Sequence, residues 1–162
     1  MTPPGASGLQ EGFVDFVCDV EIGAEAGQIF PWLEEPERMG QWVQGLEHSE
    51  YLSPIEDLGV GIRFRQRMRE MGRSVTYEGE VLKREPPQAL EVALTHRRFH
   101  MRIGYRLTRK GTMTHLEYRL HLQPLDSTVA RMERAMGWML ERSARQQLTR
   151  LKGCVEASAQ AL

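Results

Sequence analysis

Two cysteines in 162 residues are too few for the disulfide framework of a small secreted domain, so the core must close by packing alone. Cys18 and Cys154 are expected as reduced thiols, one on a strand and one near the end of a helix. Long apolar runs are missing too: none approaches the roughly 20 residues that cross a bilayer. The opening twelve residues have neither a basic segment nor an apolar signal core, so residence in the cytoplasm is expected, with no transmembrane segment. Charge of one sign is absent as well. Lys plus Arg (21) nearly balances Asp plus Glu (22), and overall charge therefore nominates no nucleic-acid partner. Serine-nucleophile motifs and glycine-rich phosphate loops are lacking, and Gly59-Val60-Gly61 has neither the further glycine nor the helix of a dinucleotide fingerprint. His115 and His121 would stand about 20 Å apart on an extended strand, too far to share an ion, and no Cys or acidic cluster completes a metal site. No cofactor and no metal are expected.

What remains is an ordinary globular composition, 41% apolar and 27% charged, at a length that fits one domain. Residues 1–12 contain Pro3, Pro4, Gly5, Ser7 and Gly8 without periodicity and are expected as a flexible tail, leaving 13–162 as a single domain. Phe16, Cys18, Val20 and Ile22 alternate with polar neighbours as a strand with one buried face does. Residues 24–33 place Ile29, Phe30 and Leu33 on one helical face. A second short helix after Pro36 gathers Met39, Trp42 and Val43. Pro31 removes a helical hydrogen bond at a cost of about 3 kcal/mol unless the helix kinks, which predicts a bend or a shorter first helix.

The middle of the chain reads as strands. Residues 46–52 form a short one. Ile62, Phe64, Gln66 and Met68 then alternate with Arg63, Arg65, Arg67 and Arg69, and a turn follows at Gly72. Val75, Tyr77, Gly79 and Val81 lead to a stop at Pro86 and Pro87. Leu90, Val92 and Leu94 precede Met101, Ile103, Tyr105 and Leu107, across a boundary at Arg97 and Arg98 that carries no Gly, Asn or Pro. Lys110-Gly111 signals a hairpin before Leu116, Tyr118, Leu120 and Leu122. Short turns between successive strands imply an antiparallel meander. The chain ends in a predicted helix over 127–157, about 45 Å long, with Met132, Met136, Met139, Leu140, Ser143, Gln147 and Leu151 on its inner face. The expected class is α+β: a curved antiparallel sheet of about seven strands around a long C-terminal helix, with two small helices after the first strand.

Val20-Glu21-Ile22 with Ala24 and Ala26, then Ile29-Phe30, then Glu35-Pro36-Glu37-Arg38 with Trp42 four residues on, resemble the START-like, helix-grip superfamily, also called SRPBCC. Its polyketide cyclase/dehydrase-type members often show Asp-Pro-Glu-Arg followed closely by Trp; here Glu35 replaces the aspartate. The resemblance spans about residues 13–158. It implies a sheet gripping the helix around a cavity for hydrophobic molecules, with functions that include lipid or sterol transfer, quinone binding, polyketide cyclisation or dehydration, and chaperone co-activation.

Strand parity nominates the lining of that space: Phe64, Gln66, Met68, Tyr77, His96, Met101, Tyr105 and Tyr118 from the sheet, with Met132, Met136, Met139 and Leu140 from the helix. An apolar pocket with a few convergent polar groups suits a small molecule. Buried tyrosines equally suit a plain core, and methionine fills irregular gaps in either case. Were there catalysis, His96 or a tyrosine would exchange protons and Gln66 would steady an oxyanion, but no spacing selects this, and catalytic residues stay unassigned. The arginine ladder faces Glu78 and Glu80 across strands, which favours a solvated, charge-laced face over a nucleic-acid site. Trp138 falls about 200° from Met136 and points away from the methionine stripe, either covered by neighbouring side chains or marking a subunit contact such as a homodimer. The expected function is binding or transport of a hydrophobic small molecule (lipid, polyketide or quinone-like). A protein-interaction module, such as a chaperone co-activator or ribosome-associated factor, is the alternative.

Overall fold

The structure, a computed structural model, describes residues 13–161. The tail expected over 1–12 lies outside the described residues. Seven strands form one antiparallel sheet: β1 (Val14–Ile22), β2 (Leu46–Tyr51), β3 (Arg63–Glu70), β4 (Arg73–Glu85), β5 (Ala89–His96), β6 (Phe99–Lys110) and β7 (Met113–Pro124). Their order is β1-β7-β6-β5-β4-β3-β2, a meander from β2 to β7 with β1 added beside β7. Helices α1 (Ala26–Glu34) and α2 (Pro36–Trp42) follow β1, as expected.

Alternation puts apolar side chains on one face of every strand. Cys18 lies opposite Tyr118, Tyr105 opposite Tyr118, and Gln66 opposite Tyr77, so residues distant in sequence meet on the concave side. At one of these crossings only glycine fits: a Cβ on Gly79 would lie 2.2 Å from the ring of Phe64, its cross-strand partner. The convex side carries the arginine ladder. Arg65 is bound by Glu78 at 3.0 Å and Arg67 by Glu47 at 2.9 Å, and Arg69 reaches Glu47 at 3.5 Å.

Turn chemistry explains the hairpins. Met71 and Gly72, with φ of 50° and 79°, turn β3 into β4, the positive-φ pair that suits a two-residue connection between twisted strands. Arg97 and Arg98 alone join β5 to β6. The hairpin expected at Lys110-Gly111 closes one residue later, because Lys110 pairs with Met113 and leaves Gly111 and Thr112 as the loop.

Two helix expectations need amending. Pro31 does not end α1, which runs on to Glu34 and returns the Glu35 N–H to the Pro31 carbonyl at 2.9 Å. Tertiary contacts hold that last turn. Glu34 takes both nitrogens of a bidentate Arg84 from β4 at 2.8 and 2.9 Å, and its carbonyl accepts the Tyr51 hydroxyl at 2.6 Å. The helix expected over 127–157 is two helices, α3 (Ser127–Arg131) and α4 (Glu133–Gln160), separated at Met132 with φ −92° and ψ 7°. Short α3 is tied to the β5–β6 turn, where the Leu125 N–H donates to the Arg98 carbonyl and Arg98 pairs with Asp126. Packing on β1, α1 and α2 directs α4, which is about 42 Å long at 1.5 Å per residue.

The Phe64 ring over Gly79 sets a direct test of the sheet register. Gly79→Ala should destabilise the protein by about 1–3 kcal/mol in chemical denaturation, because the added methyl must displace an aromatic ring in a packed face. Phe64→Ala is costly by itself, yet the double variant should cost clearly less than the sum of the two. Additive losses would show that the two residues do not face each other.

Candidate functional site

The roll of α4 decides what the concave face sees. Ala144, Leu148, Leu151 and Val155 are buried at spacings of four, three and four, against β1 and the two short helices. Continued toward the N-terminus, that stripe reaches Leu140 and Met136, both half-buried, and Gly137, which lies close to Val14. Met132 and Met139, expected on the inner face, are 54% and 59% exposed. Met132 stands at the break before α4, and Met139 lies about 150° from the 144–148–151–155 stripe, so packing of the second half of the helix turns both outward. Ser143 and Gln147 are half-buried at the flank, Gln147 donating to the Ser143 hydroxyl at 3.0 Å.

Under the second half of α4 the interior is filled by Ile22, Leu116, Leu148, Leu151 and Val155. Toward the other end the concave surface opens. Met68, Val75, Val92, Phe99, Met101 and Ile103 are half-buried, and among the strands α4 runs chiefly along β1. The concave face of β3 to β6 beside α4 is thus only partly covered, and this partly covered face is the cleft. Two further depressions lie elsewhere: one of about 850 Å3 between α2 and the end of α4, bordered by Trp32, Arg38, Arg150 and Cys154, and one of about 570 Å3 beside Arg73, Thr76 and Thr95.

Tyr105 and Tyr118 stand where the filled half meets the open one. Their rings make an edge contact with centroids 5.5 Å apart, Trp42 approaches Tyr105 at 6.4 Å, and Phe16 approaches Tyr118 at 6.3 Å. Neither hydroxyl hydrogen-bonds to a described residue. Burial raises both phenols above their ordinary range; neighbouring Cys18 adds to each, and Tyr105 adds to Tyr118. Burial likewise pushes the Cys18 thiol up to about 11. All three groups are therefore neutral near pH 7, and the phenols are donors rather than bases.

The other nominated residues are engaged with the protein. Tyr77 donates to Glu70, and burial is the main cause that raises its hydroxyl. Gln66 reaches the Ser49 hydroxyl at 3.4 Å. His96 accepts the Arg98 N–H at Nδ1, 3.2 Å away, and stacks on Phe99 with centroids 4.7 Å apart, so it shapes the β5–β6 turn. Phe64 is buried over Gly79, and Met68 and Met101 line the open part. Phe16, Cys18 and Trp42 were missing from the expected lining, although strand parity alone already turned Phe16 and Cys18 inward.

The family model for polyketide cyclase / dehydrase and lipid transport matches residues 14–156. Among solved structures, one similar chain is the di-domain aromatase/cyclase of the steffimycin biosynthetic pathway, with 12% identity and a TM-score of 0.78. The match takes in 96% of this chain and 55% of that one, so this chain spans about half its length. A Streptomyces aromatase/cyclase matches at 14% identity and a TM-score of 0.75, over 89% and 94% of the two chains. A START superfamily protein from Mycobacterium smegmatis matches at 16% and 0.73, over 88% and 97%. At these identities the likeness establishes the fold. No curated protein sequence matches the chain.

Helix roll is open to a stability test. Leu148→Ala should cost about 2–5 kcal/mol in denaturant unfolding, as a buried leucine does. Met139→Ala should stay within about 0.5 kcal/mol, as an exposed site does. The reverse ranking would return the methionine stripe to the inner face.

Proposed function

Because the chain belongs to the family described as polyketide cyclase / dehydrase and lipid transport, we propose that it binds a hydrophobic small molecule in the cleft between β3–β6 and α4. One observation carries the reading: two buried phenols, Tyr105 and Tyr118, whose hydroxyls meet no hydrogen-bonding group among the described residues. Neither oxygen is sealed from solvent, since His115 Nδ1 is the one buried side-chain polar atom without a partner among the described residues, so a ligand oxygen entering the cleft can reach these donors. The favoured ligand is therefore largely apolar and carries a carbonyl or similar acceptor, as lipids, polyketides and quinones do. Met68, Met101, Met136 and Leu140 supply an apolar wall that adapts to its shape.

The protonation state bears on chemistry. Both phenols remain protonated near pH 7, so they would orient and polarise a bound carbonyl by donation. Proton removal would need a base, and the Nδ1 of His96 is taken up by the Arg98 N–H. Binding and transfer is accordingly the first function proposed. A contribution to cyclisation or dehydration rests on the same two donors.

Fluorescence titration with a naphthoquinone and with a purely hydrocarbon probe separates these features. The wild type should bind both. The Tyr105→Phe/Tyr118→Phe variant should keep the hydrocarbon and lose about tenfold, about 1.4 kcal/mol, in naphthoquinone affinity. Met136→Trp, which fills the space, should weaken both while the melting temperature holds or rises. A wild type that binds neither probe, or a double phenylalanine variant that binds the quinone unchanged, would sink the proposal.

A further inference from the structure

Three connections meet at the open end of the cleft. Glu78 pairs with Thr95, which carries β4 past the end of β5, so the β3–β4 turn projects beyond the β5–β6 turn. The β5–β6 turn is in turn bound to the entry of α3 through Arg98. At this end the protein exposes large apolar side chains: Met71 at the projecting turn, Leu125 before α3, and Met132, Trp138 and Met139 around the start of α4. A surface helix ordinarily turns its polar side to water. The first two turns of α4 instead carry apolar residues on both sides, Met136 and Leu140 inward and Trp138 and Met139 outward, with Met132 exposed just before them.

The charges around this patch are not balanced, although those of the whole chain are. Among its described side chains the acids are already engaged: Glu47 with Arg67, Arg69 and Ser74, Glu70 with Tyr77, Asp126 with Arg98, and Glu141 with Arg145. Arg73, Arg97, Arg134 and Arg142 are exposed and make no ion pair with a described residue. Arg142 lies over the Trp138 ring at 5.4 Å, so the most exposed aromatic of the patch is sheathed by a cation. Exposed apolar groups beside arginines that no described acid neutralises complement an anionic lipid surface, where tryptophan settles at the headgroup level and each nearby basic residue adds attraction. A second copy of the chain fits less well, because a two-fold contact would set the same unpaired arginines against each other.

We infer that this end of the molecule docks on an anionic membrane surface, with Met132, Trp138 and Met139 entering the headgroup layer and Arg97, Arg134 and Arg142 meeting lipid phosphates. The mouth of the cleft then faces the bilayer. The inference goes beyond the proposed ligand and does not depend on what the cleft holds.

Trp32 and Trp42 are buried, so an intrinsic fluorescence change on adding lipid reports on Trp138. Vesicles of phosphatidylcholine with phosphatidylglycerol should shift the emission to the blue and co-sediment the protein, phosphatidylcholine alone should not, and high salt should reverse the effect. Met132→Glu/Met139→Glu and, separately, Arg134→Glu/Arg142→Glu should each lower the partition onto anionic vesicles about tenfold or more, with circular dichroism and naphthoquinone binding unchanged. Three results would overturn the inference: no response to anionic vesicles, undiminished partition of both variants, or a blue shift that grows with protein concentration without lipid. The last would assign the face to a second copy.

Discussion

Packing of Leu148, Leu151 and Val155 of α4 against β1, α1 and α2 is the contact on which the rest of the architecture depends. It anchors one half of a 28-residue helix and leaves the other half to lie along the rim of a curved sheet. Because a helix is rigid about its own axis, that anchor also sets the rotation of every residue further up. Met136 and Leu140 are thereby turned to the cleft, and Met139 and Trp138 to solvent. The same contact thus produces the wall of the candidate binding site and the apolar outer surface beside its mouth.

The short helices take part in that anchor through a polar clamp. Glu34 at the end of α1 is held by Arg84 and, through its carbonyl, by Tyr51, which ties α1 to β4 and β2. Trp42 at the end of α2 donates its indole N–H to the Trp32 carbonyl at 2.8 Å and presents its ring to Tyr105. The tyrosine pair is therefore backed by an element that is itself tied down. Rigid support of this kind fixes where the two hydroxyl oxygens sit without hydrogen bonds to other described residues.

Electrostatics here is local. A net charge of −1 describes the average, yet the arginine ladder on the convex face is largely neutralised by Glu47 and Glu78, while Arg97, Arg134 and Arg142 pair with no acid among the described residues. Inside the cleft the ordering term is desolvation. It keeps the tyrosine phenols and the Cys18 thiol uncharged.

Strand parity and turn residues carried the sheet in the sequence itself. Period two assigned Phe64, Gln66, Tyr77, Tyr105 and Tyr118 to one face, and short turns left an antiparallel meander as the simplest path. These are local rules, enforced by backbone geometry within a few residues, and a sheet with one buried face cannot slip by one residue without exposing that whole set. The helix was legible as a helix but not in its rotation. Several apolar stripes compete on it, and the spacing of Met132, Met136 and Met139 is as regular as that of Ala144, Leu148, Leu151 and Val155. Only contact with β1, α1 and α2 chose between them, because burial is decided by what lies opposite. For the same reason the break at Met132, the turn-bound role of His96 and the unpartnered hydroxyls of Tyr105 and Tyr118 belong to the tertiary structure: each depends on a neighbour that no local pattern names.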